Sequence, residues 1–283
     1  MIPRAINLKA YAKINLFLEV LGRRNDGYNE IRTIFSEIEL YDELSFILTK
    51  KERVRILTDT DSLRNEENLV YKVAVFIREK YNVNAGVEIE LKKKIPIAGG
   101  LGGGSSDAAQ TILALNKLWE LSLSKAELNE IAACWGSDIN FFLQGATALG
   151  SARGEKITTL PGIRLDNIFL VNPGFGISSK EAYELVEYDS ERKDWQEFWE
   201  KKDCRNSFNR LEAGIRRKYP EIAEMIEHLQ SGGAEQAILS GSGATIIGFC
   251  PDRTTAERFT HYYSGKGFWN TITKTKGEPN EHY

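Results

Sequence analysis

At 283 residues, with 42% hydrophobic and 27% charged side chains, the chain has the composition of an ordinary globular protein, long enough to bury one large core or two. A formal net charge of −3 and a pI near 5.8 leave no electrostatic footprint for nucleic acid or an anionic membrane, so neither partner is expected. Cys134, Cys204 and Cys250 lie too far apart for a disulfide framework or a cysteine zinc site, and His228, His261 and His282 form no HExxH pair, nor does any serine sit in a GxSxG elbow.

The first residues, "MIPRAINLKAYAKINL", lack a basic segment followed by an apolar core. The longest uncharged stretch, Ala237 to Pro251, is too short and too rich in Gly and Ser to span a bilayer. Reduced thiols and a cytoplasmic location are expected.

Alternating apolar residues predict strands over 5–20, 31–40, 44–49, 53–58 and 86–92. Helical spacing predicts helices over 67–81, 105–120 and 125–134. These elements make one α+β unit over residues 1–155, closing with "GATALGSARGE". A second unit, 156–283, is expected to hold strands at 167–172, 244–250 and 268–273 and helices near 179–187, 206–230 and 253–264, with the charged stretch "EYDSERKDWQEFWEKKDCRN" between them. No internal repeat is evident.

Within the first strand, Ile14, Leu16, Leu18 and Val20 share one face, so Lys13, Asn15, Phe17 and Glu19 share the other. By itself Lys13 reads as a lysine on the wet face of an antiparallel sheet. Further on, "KKKIPIAGGLGGGSSDAAQTI" joins a strand to a helix through five glycines between Gly99 and Gly104. Ser105, Ser106 and Asp107 are its candidate helix caps, while the run Lys92 to Lys94 reads as a solvated strand end. Bare backbone at a helix N-terminus suits phosphate, because unpaired N–H groups and the positive end of the helix dipole converge there. Neither a Walker loop nor a dinucleotide fingerprint fits, since Ser105 stands where the first needs Lys and the second needs Gly. In "CWGSDINFFLQGATALG", Asp138 is a carboxylate candidate whose bland role is an N-cap.

Taken in order, "AKINLFLEV", "GYNE", "PIAGGLGGGSSDAA", "GSDINFFLQGATALGSARGE" and "LSGSGAT" resemble the blocks of the GHMP kinases from Ala12 to about Phe249. The galactokinase Gly-Glu-His signature is absent. Within the superfamily the resemblance is to members that phosphorylate the 2-hydroxyl of an erythritol linked to cytidine diphosphate; a homoserine or mevalonate type of kinase is the alternative. A non-catalytic nucleotide-binding relative is a further reading, against which the retention of both Lys13 and Asp138 speaks.

The resemblance implies an α+β, two-domain fold: an N-terminal ATP-binding domain with a left-handed βαβ crossover, a C-terminal α/β sandwich, and the active site in the cleft between them. It implies that Lys13 and Asp138 flank the reacting hydroxyl. It places ATP phosphates against Pro96, Ile97, Ala98, Gly99, Gly100, Leu101, Gly102, Gly103, Gly104, Ser105 and Ser106, with Asn68 near the adenine. Asn15 would bind substrate, and Tyr28, Asn29 and Tyr183 would meet its cytosine. Magnesium is expected with ATP, with no ligand assignable from sequence. The chain departs from the family pattern in three places: Asn29 where histidine is usual, Asn140 where proline is usual, and Asn206-Ser207-Phe208-Asn209 where Asn-Asp, an apolar residue and Glu are usual.

Overall fold

The computed structural model describes residues 4–64, 66–188 and 191–277. Strands β1 (Ala5–Arg23), β2 (Asn29–Thr49), β3 (Val54–Thr58) and β4 (Gly86–Lys92) alternate with helices α1 (Leu69–Lys80), α2 (Gly103–Leu118), α3 (Lys125–Trp135) and α4 (Ile139–Gln144) in the first half. The hairpin β5 (Thr147–Ala152) and β6 (Lys156–Leu160) follows. The second half runs β7 (Ile168–Asn172), α5 (Ser179–Glu184), α6 (Trp195–Lys201), β8 (Phe208–Asn209), α7 (Glu212–Lys218), α8 (Pro220–Ser231), β9 (Gln236–Leu239), β10 (Ile246–Phe249), α9 (Arg253–Gly265) and β11 (Trp269–Thr273).

Two sheets organise these elements into the expected α+β architecture. A seven-stranded sheet has the order β3-β4-β2-β1-β8, with β5 on β2 and β6 on β5; a four-stranded antiparallel sheet has the order β11-β7-β10-β9. The βαβ unit is β3-α1-β4, whose strands pair in parallel. The expected division near residue 155 falls in the β5-β6 turn, and both of those strands belong to the larger sheet.

Side-chain pattern explains where the cores lie. Helices α1 to α4 bury Val73, Ile77, Ile112, Leu115, Ile131 and Phe141 against Phe46, Ile89 and Leu91 of the larger sheet. A second core joins Ile222, Ile226, Leu229 and Phe259 of α8 and α9 to Phe169, Val171 and Ile246, and takes in Leu18, Val20 and Ile31 of β1 and β2. A third sets Ile14, Leu16, Ile34 and Ile38 against Ile168, Leu170 and Ile247, so the two sheets close on one another. Strand β1 is thus buried on both faces from Ala12 to Val20, and the wet-face reading of Lys13 is overturned.

Several expected boundaries shift for physical reasons. The strands expected at 31–40 and 44–49 are one strand, because "YDE" makes no turn: Asp42 is fully buried and its Oδ1 accepts from the N–H groups of Lys94 and Ile95. The helix expected over 206–230 is β8, α7 and α8, with Pro220 opening α8 at its first turn, where a missing N–H costs nothing. The charged stretch contains α6, whose Trp195, Phe198 and Trp199 turn one apolar stripe onto the third core.

Candidate active site

Lys13 is 4% exposed and sits at the centre of a polar ladder on β1. Its Nζ donates to Asn15 Oδ1 at 2.6 Å, Asn15 Nδ2 donates to Thr33 Oγ1 at 2.7 Å, and Thr33 Oγ1 donates to the Phe17 carbonyl at 2.8 Å. The register shifts of β1 against β2 at Tyr11/Lys13 and Asn15/Phe17 re-aim these side chains, as bulges beside active sites do. Asp138 Oδ2 stands 3.6 Å from Lys13 Nζ. Burial pushes the Lys13 pKa below its ordinary value, and Asp138 pulls it partly back. Asp138 occupies the N-cap position of α4 with helical φ/ψ and makes no capping hydrogen bond. Its carboxylate is not spent on the helix end, and its side chain is 32% exposed to the cavity.

The glycine run folds more tightly onto its helix than expected. Helix α2 begins at Gly103, behind Gly102 at φ +69, so Ser105, Ser106 and Asp107 lie inside the helix and are not its caps. A Cβ at Gly102 would meet the Phe142 ring at 2.7 Å and Lys13 Cγ at 3.0 Å, whereas one at Gly104 would meet nothing within 4 Å. The first N–H groups of α2, from Gly103, Gly104 and Ser105, have no intrahelical acceptor and face a cavity of about 460 Å³. That cavity is also lined by Asn68, Pro96, Ile97, Ala98, Gly99 and Gly100. Leu101 and Ser106 are buried and do not line it; the Leu101 carbonyl instead accepts from Lys13 N–H at 2.9 Å. Asn68 has its amide engaged at both ends, accepting from Val70 N–H to cap α1 and donating to the Leu63 carbonyl.

One cluster in this cavity escaped the reading of the sequence. Lys93 is no solvated strand end: its Nζ lies between Asp42 Oδ2 and Asp107 Oδ2, at 2.7 Å from the latter. Burial pushes the Asp107 carboxyl up to about 7, with Lys93 opposing and Asp42 adding to the rise. The inward parity of Val87, Ile89 and Leu91 continues to Lys93, which was the available signal.

A second cavity, of about 840 Å³, holds Lys13, Asn15, Tyr28, Asn29, Asp138 and Tyr183. Both cavities take walls from both halves of the chain, and they share Lys13, Ser105, Asp138, Ser179 and Ser242. Tyr28 is 56% exposed and carries the Arg153 guanidinium 4.8 Å from its ring centroid. Tyr183 is half-buried, and burial together with the nearby Asp138 charge raises its hydroxyl pKa. Asn29 Oδ1 accepts from the Tyr188 hydroxyl at 2.5 Å, a partner from the second half of the chain that no local pattern announces. Asn140 lines neither cavity; its Nδ2 reaches the Glu155 carbonyl at 3.4 Å. Among the described residues, no group of three His, Cys, Asp or Glu could hold a metal ion, and no helix is long and apolar enough to cross a membrane.

Two family models match: the GHMP kinases N terminal domain over residues 68–146 and the GHMP kinases C terminal over 178–267. A 4-diphosphocytidyl-2-C-methyl-D-erythritol kinase of Caldanaerobacter subterraneus subsp. tengcongensis is 41% identical over 95% of this chain and 96% of its own. A crystal structure of 4-(cytidine 5'-diphospho)-2C-methyl-D-erythritol kinase superposes with TM-score 0.82 at 30% identity, covering 96% of this chain and 100% of that one. A homoserine kinase from Cytophaga hutchinsonii, with TM-score 0.71 and 18% identity over 99% of this chain and 98% of its own, shares the fold.

Proposed function

The chain belongs to the GHMP kinases, and within them to the 4-diphosphocytidyl-2-C-methyl-D-erythritol kinase family, and from this we propose that it transfers the γ-phosphoryl group of ATP to the 2-hydroxyl of 4-diphosphocytidyl-2-C-methyl-D-erythritol in non-mevalonate isoprenoid synthesis. The observation that carries the reading is the meeting of the two cavities at Lys13 and Asp138. Nucleotide phosphates lie against the α2 N-terminus in the smaller cavity, with the base toward Asn68. The cytidine substrate fills the larger one, its cytosine between Tyr28 and Tyr183, its base edge at Asn29 and its polyol at Asn15. The reacting hydroxyl then sits where both ligands touch Asp138.

In this arrangement Asp138 accepts the hydroxyl proton as the oxygen attacks phosphorus. Lys13, facing Asp138 at 3.6 Å, counters the charge that develops on the transferred group. Phosphoryl transfer needs little covalent help from the protein, so two ligands held in line are the main contribution. Magnesium, expected with ATP, finds no acidic cage among the described residues. A cytoplasmic location accompanies the reading, in keeping with free, well-separated cysteines.

The test is an ADP-release assay with the cytidine substrate, homoserine and mevalonate offered in turn. Turnover confined to the cytidine substrate is expected. Turnover of homoserine or mevalonate in its place, or none by well-folded protein, would overturn the proposal.

A further inference from the structure

Asn209 lies outside both cavities, yet the N–H groups of its side-chain amide are committed to the turn that covers Lys13. It is 5% exposed. Its Nδ2 donates to the carbonyls of Leu239 and Gly241, each at 2.8 Å, and its Oδ1 accepts from Leu211 N–H at 3.0 Å. With two acceptors on one end and a donor on the other, the orientation of the amide is unambiguous. A carboxylate at this position could not make these bonds, because when ionised it has no proton to give a carbonyl.

The turn that Asn209 grips is in van der Waals contact with the reacting groups. Gly241 has φ +56, and a Cβ there would stand 2.8 Å from Asn15 Oδ1 and 3.1 Å from Lys13 Nζ. The same turn interlocks with the phosphate loop: a Cβ on Gly100 would lie 2.1 Å from the Ser240 carbonyl, and one on Gly243 would lie 2.0 Å from Gly100 N. Asn209 is in turn fixed to the strand that carries Lys13. Phe208 and Asn209 pair in parallel with Phe17 and Leu18, Arg210 N–H donates to the Leu18 carbonyl, and the Arg210 guanidinium grips buried Glu19 at 2.7 and 2.8 Å. The contacts close a ring from β1 through Asn209 to Gly241 and back to Lys13.

We propose that Asn209 is a positioning residue for phosphoryl transfer: its amide holds the Leu239–Gly241 backbone against Lys13 and Asn15, and so keeps Lys13 Nζ facing Asp138. The assignment rests on the kinase reading above. It predicts an effect on the chemical step without an equal effect on ligand binding, since Asn209 touches neither cavity.

Three single variants and one double variant test it. Asn209→Asp keeps the shape and the bond from Leu211 but turns a carboxylate on two carbonyls. At pH 8 its kcat should fall about tenfold or more, with KM for ATP and for the cytidine substrate within about threefold of the parent. At pH 5.5 the ratio to the parent should recover, because burial beside carbonyls raises a carboxyl pKa and the protonated acid can donate again. Gly241→Ala leaves Asn209 intact and should lower kcat by itself; combined with Asn209→Asp, the loss should be less than the product of the two. A normal kcat in either single variant, a pH-independent loss, or a fully multiplicative double variant would each overturn the proposal. Asn209→Leu removes the donors without adding charge, and an NMR titration of its ¹⁵N-labelled Lys13 Nζ reads the ring without needing turnover. The Lys13 pKa should move up toward that of a solvated lysine; an unmoved value overturns the assignment even if the kinase reading stands. A moved value in a protein that phosphorylates none of the three alcohols would sink the kinase reading alone.

Discussion

Lys13 Nζ and Asp138 Oδ2 face each other at 3.6 Å, the one ammonium 4% exposed on a central strand and the other carboxylate at the start of a short helix, where it makes no cap. Both are held by neighbours: Lys13 by Asn15 Oδ1 and the Gly241 turn, Asp138 by the α3-α4 turn. Asp138→Asn keeps the shape and removes the carboxylate proposed as the base. It should lower kcat by about a hundredfold or more with ATP binding retained, in the range that loss of a general base gives. Steady-state kinetics with nucleotide calorimetry checks this, and a near-normal kcat removes Asp138 from the mechanism.

Lys13→Met should lose at least as much activity and yet gain stability. Burial lowers the Lys13 pKa in the folded state relative to the unfolded chain. The sign follows from linkage: below the folded-state pKa the buried ammonium destabilises the fold, and the penalty fades as pH rises from that value toward the unfolded one. At pH 7 the methionine variant escapes the penalty, and Asp138, being partly exposed, is not stranded. Each kcal/mol recovered would raise Tm by about 2–4 °C in a chain of this size. Calorimetry at pH 7 should find the variant more stable; a lower Tm would mean that the ion pair outweighs the burial.

Some of this site was legible in residue pattern, and the remainder depends on long-range contact. The strand-glycine-helix junction reads directly as an anion site because period two, glycine and helical spacing are all local. The burial of Lys13 does not, since the Gly241 turn and the glycine loop that cover its face arrive from far along the chain. The pairing of Lys13 with Asp138 came from resemblance to known kinases, as did the two tyrosines. Lys93 was legible but misread: charge suggested solvent, while strand parity pointed inward. The Asn29 to Tyr188 bond and the grip of Asn209 on Leu239 and Gly241 join residues with no shared periodicity, and only the fold discloses them.

The Lys93 cluster makes a second prediction about pH. One ammonium is shared by two buried carboxylates, Asp42 and Asp107, and Asp107 titrates near 7 instead of in the usual carboxylate range. A carboxyl whose folded pKa is raised destabilises the fold when ionised. The cost is absent below the unfolded pKa of about 3.9, grows through the interval up to 7 and is complete above it. Asp107→Asn leaves Lys93 paired with Asp42 alone, so its stability advantage over the parent should widen between pH 4 and pH 7 and then level off. Denaturant titrations at pH 4, 5.5, 7 and 8.5 measure the trend; an advantage that shrinks with pH would refute it.

Gly104 separates a phosphate site from a structural turn. A Cβ there meets nothing within 4 Å, in contrast to Gly103, where it would meet Ile95 Cγ2 at 2.9 Å. Gly104→Ala should therefore fold normally and gain about 0.5–1 kcal/mol from the reduced entropy of the unfolded chain. Should ATP phosphates occupy the space in front of the α2 N-terminus, the added methyl must still weaken nucleotide binding while leaving affinity for the cytidine substrate intact. Gly103→Val, crowded on the protein side as well, should lose more ATP affinity. Unchanged ATP affinity in Gly104→Ala would make the loop a turn with no phosphate against it.

The cytosine end of the larger cavity gives the most demanding test. Tyr28 projects into solvent with one ring face under the Arg153 guanidinium, so a single face remains for a base; Tyr183 rises from α5 beside Asp138, anchored in the second core. Removal of an aromatic from a nucleobase stack costs about 1–3 kcal/mol. Tyr28→Ala and Tyr183→Ala should then each raise KM for the cytidine substrate by roughly 5- to 150-fold, while KM for ATP barely moves, because the adenine is expected in the other cavity beside Asn68. Uracil would stack as well as cytosine, so stacking cannot discriminate between them. Discrimination must come from hydrogen bonds near Asn29. The Tyr188 hydroxyl bound at its Oδ1 fixes which way the Asn29 amide is turned, and its Nδ2 is then a donor that suits the ring acceptor of cytosine and opposes the N–H of uracil. The tyrosine variants should accordingly keep whatever preference for cytidine over uridine the parent shows, and Tyr188→Phe, which frees the Asn29 amide to flip, should erode it with less effect on KM. If both alanine variants bind the cytidine substrate normally, the stacking is refuted, and a homoserine or mevalonate type of substrate becomes the better fit to the same pair of Lys13 and Asp138.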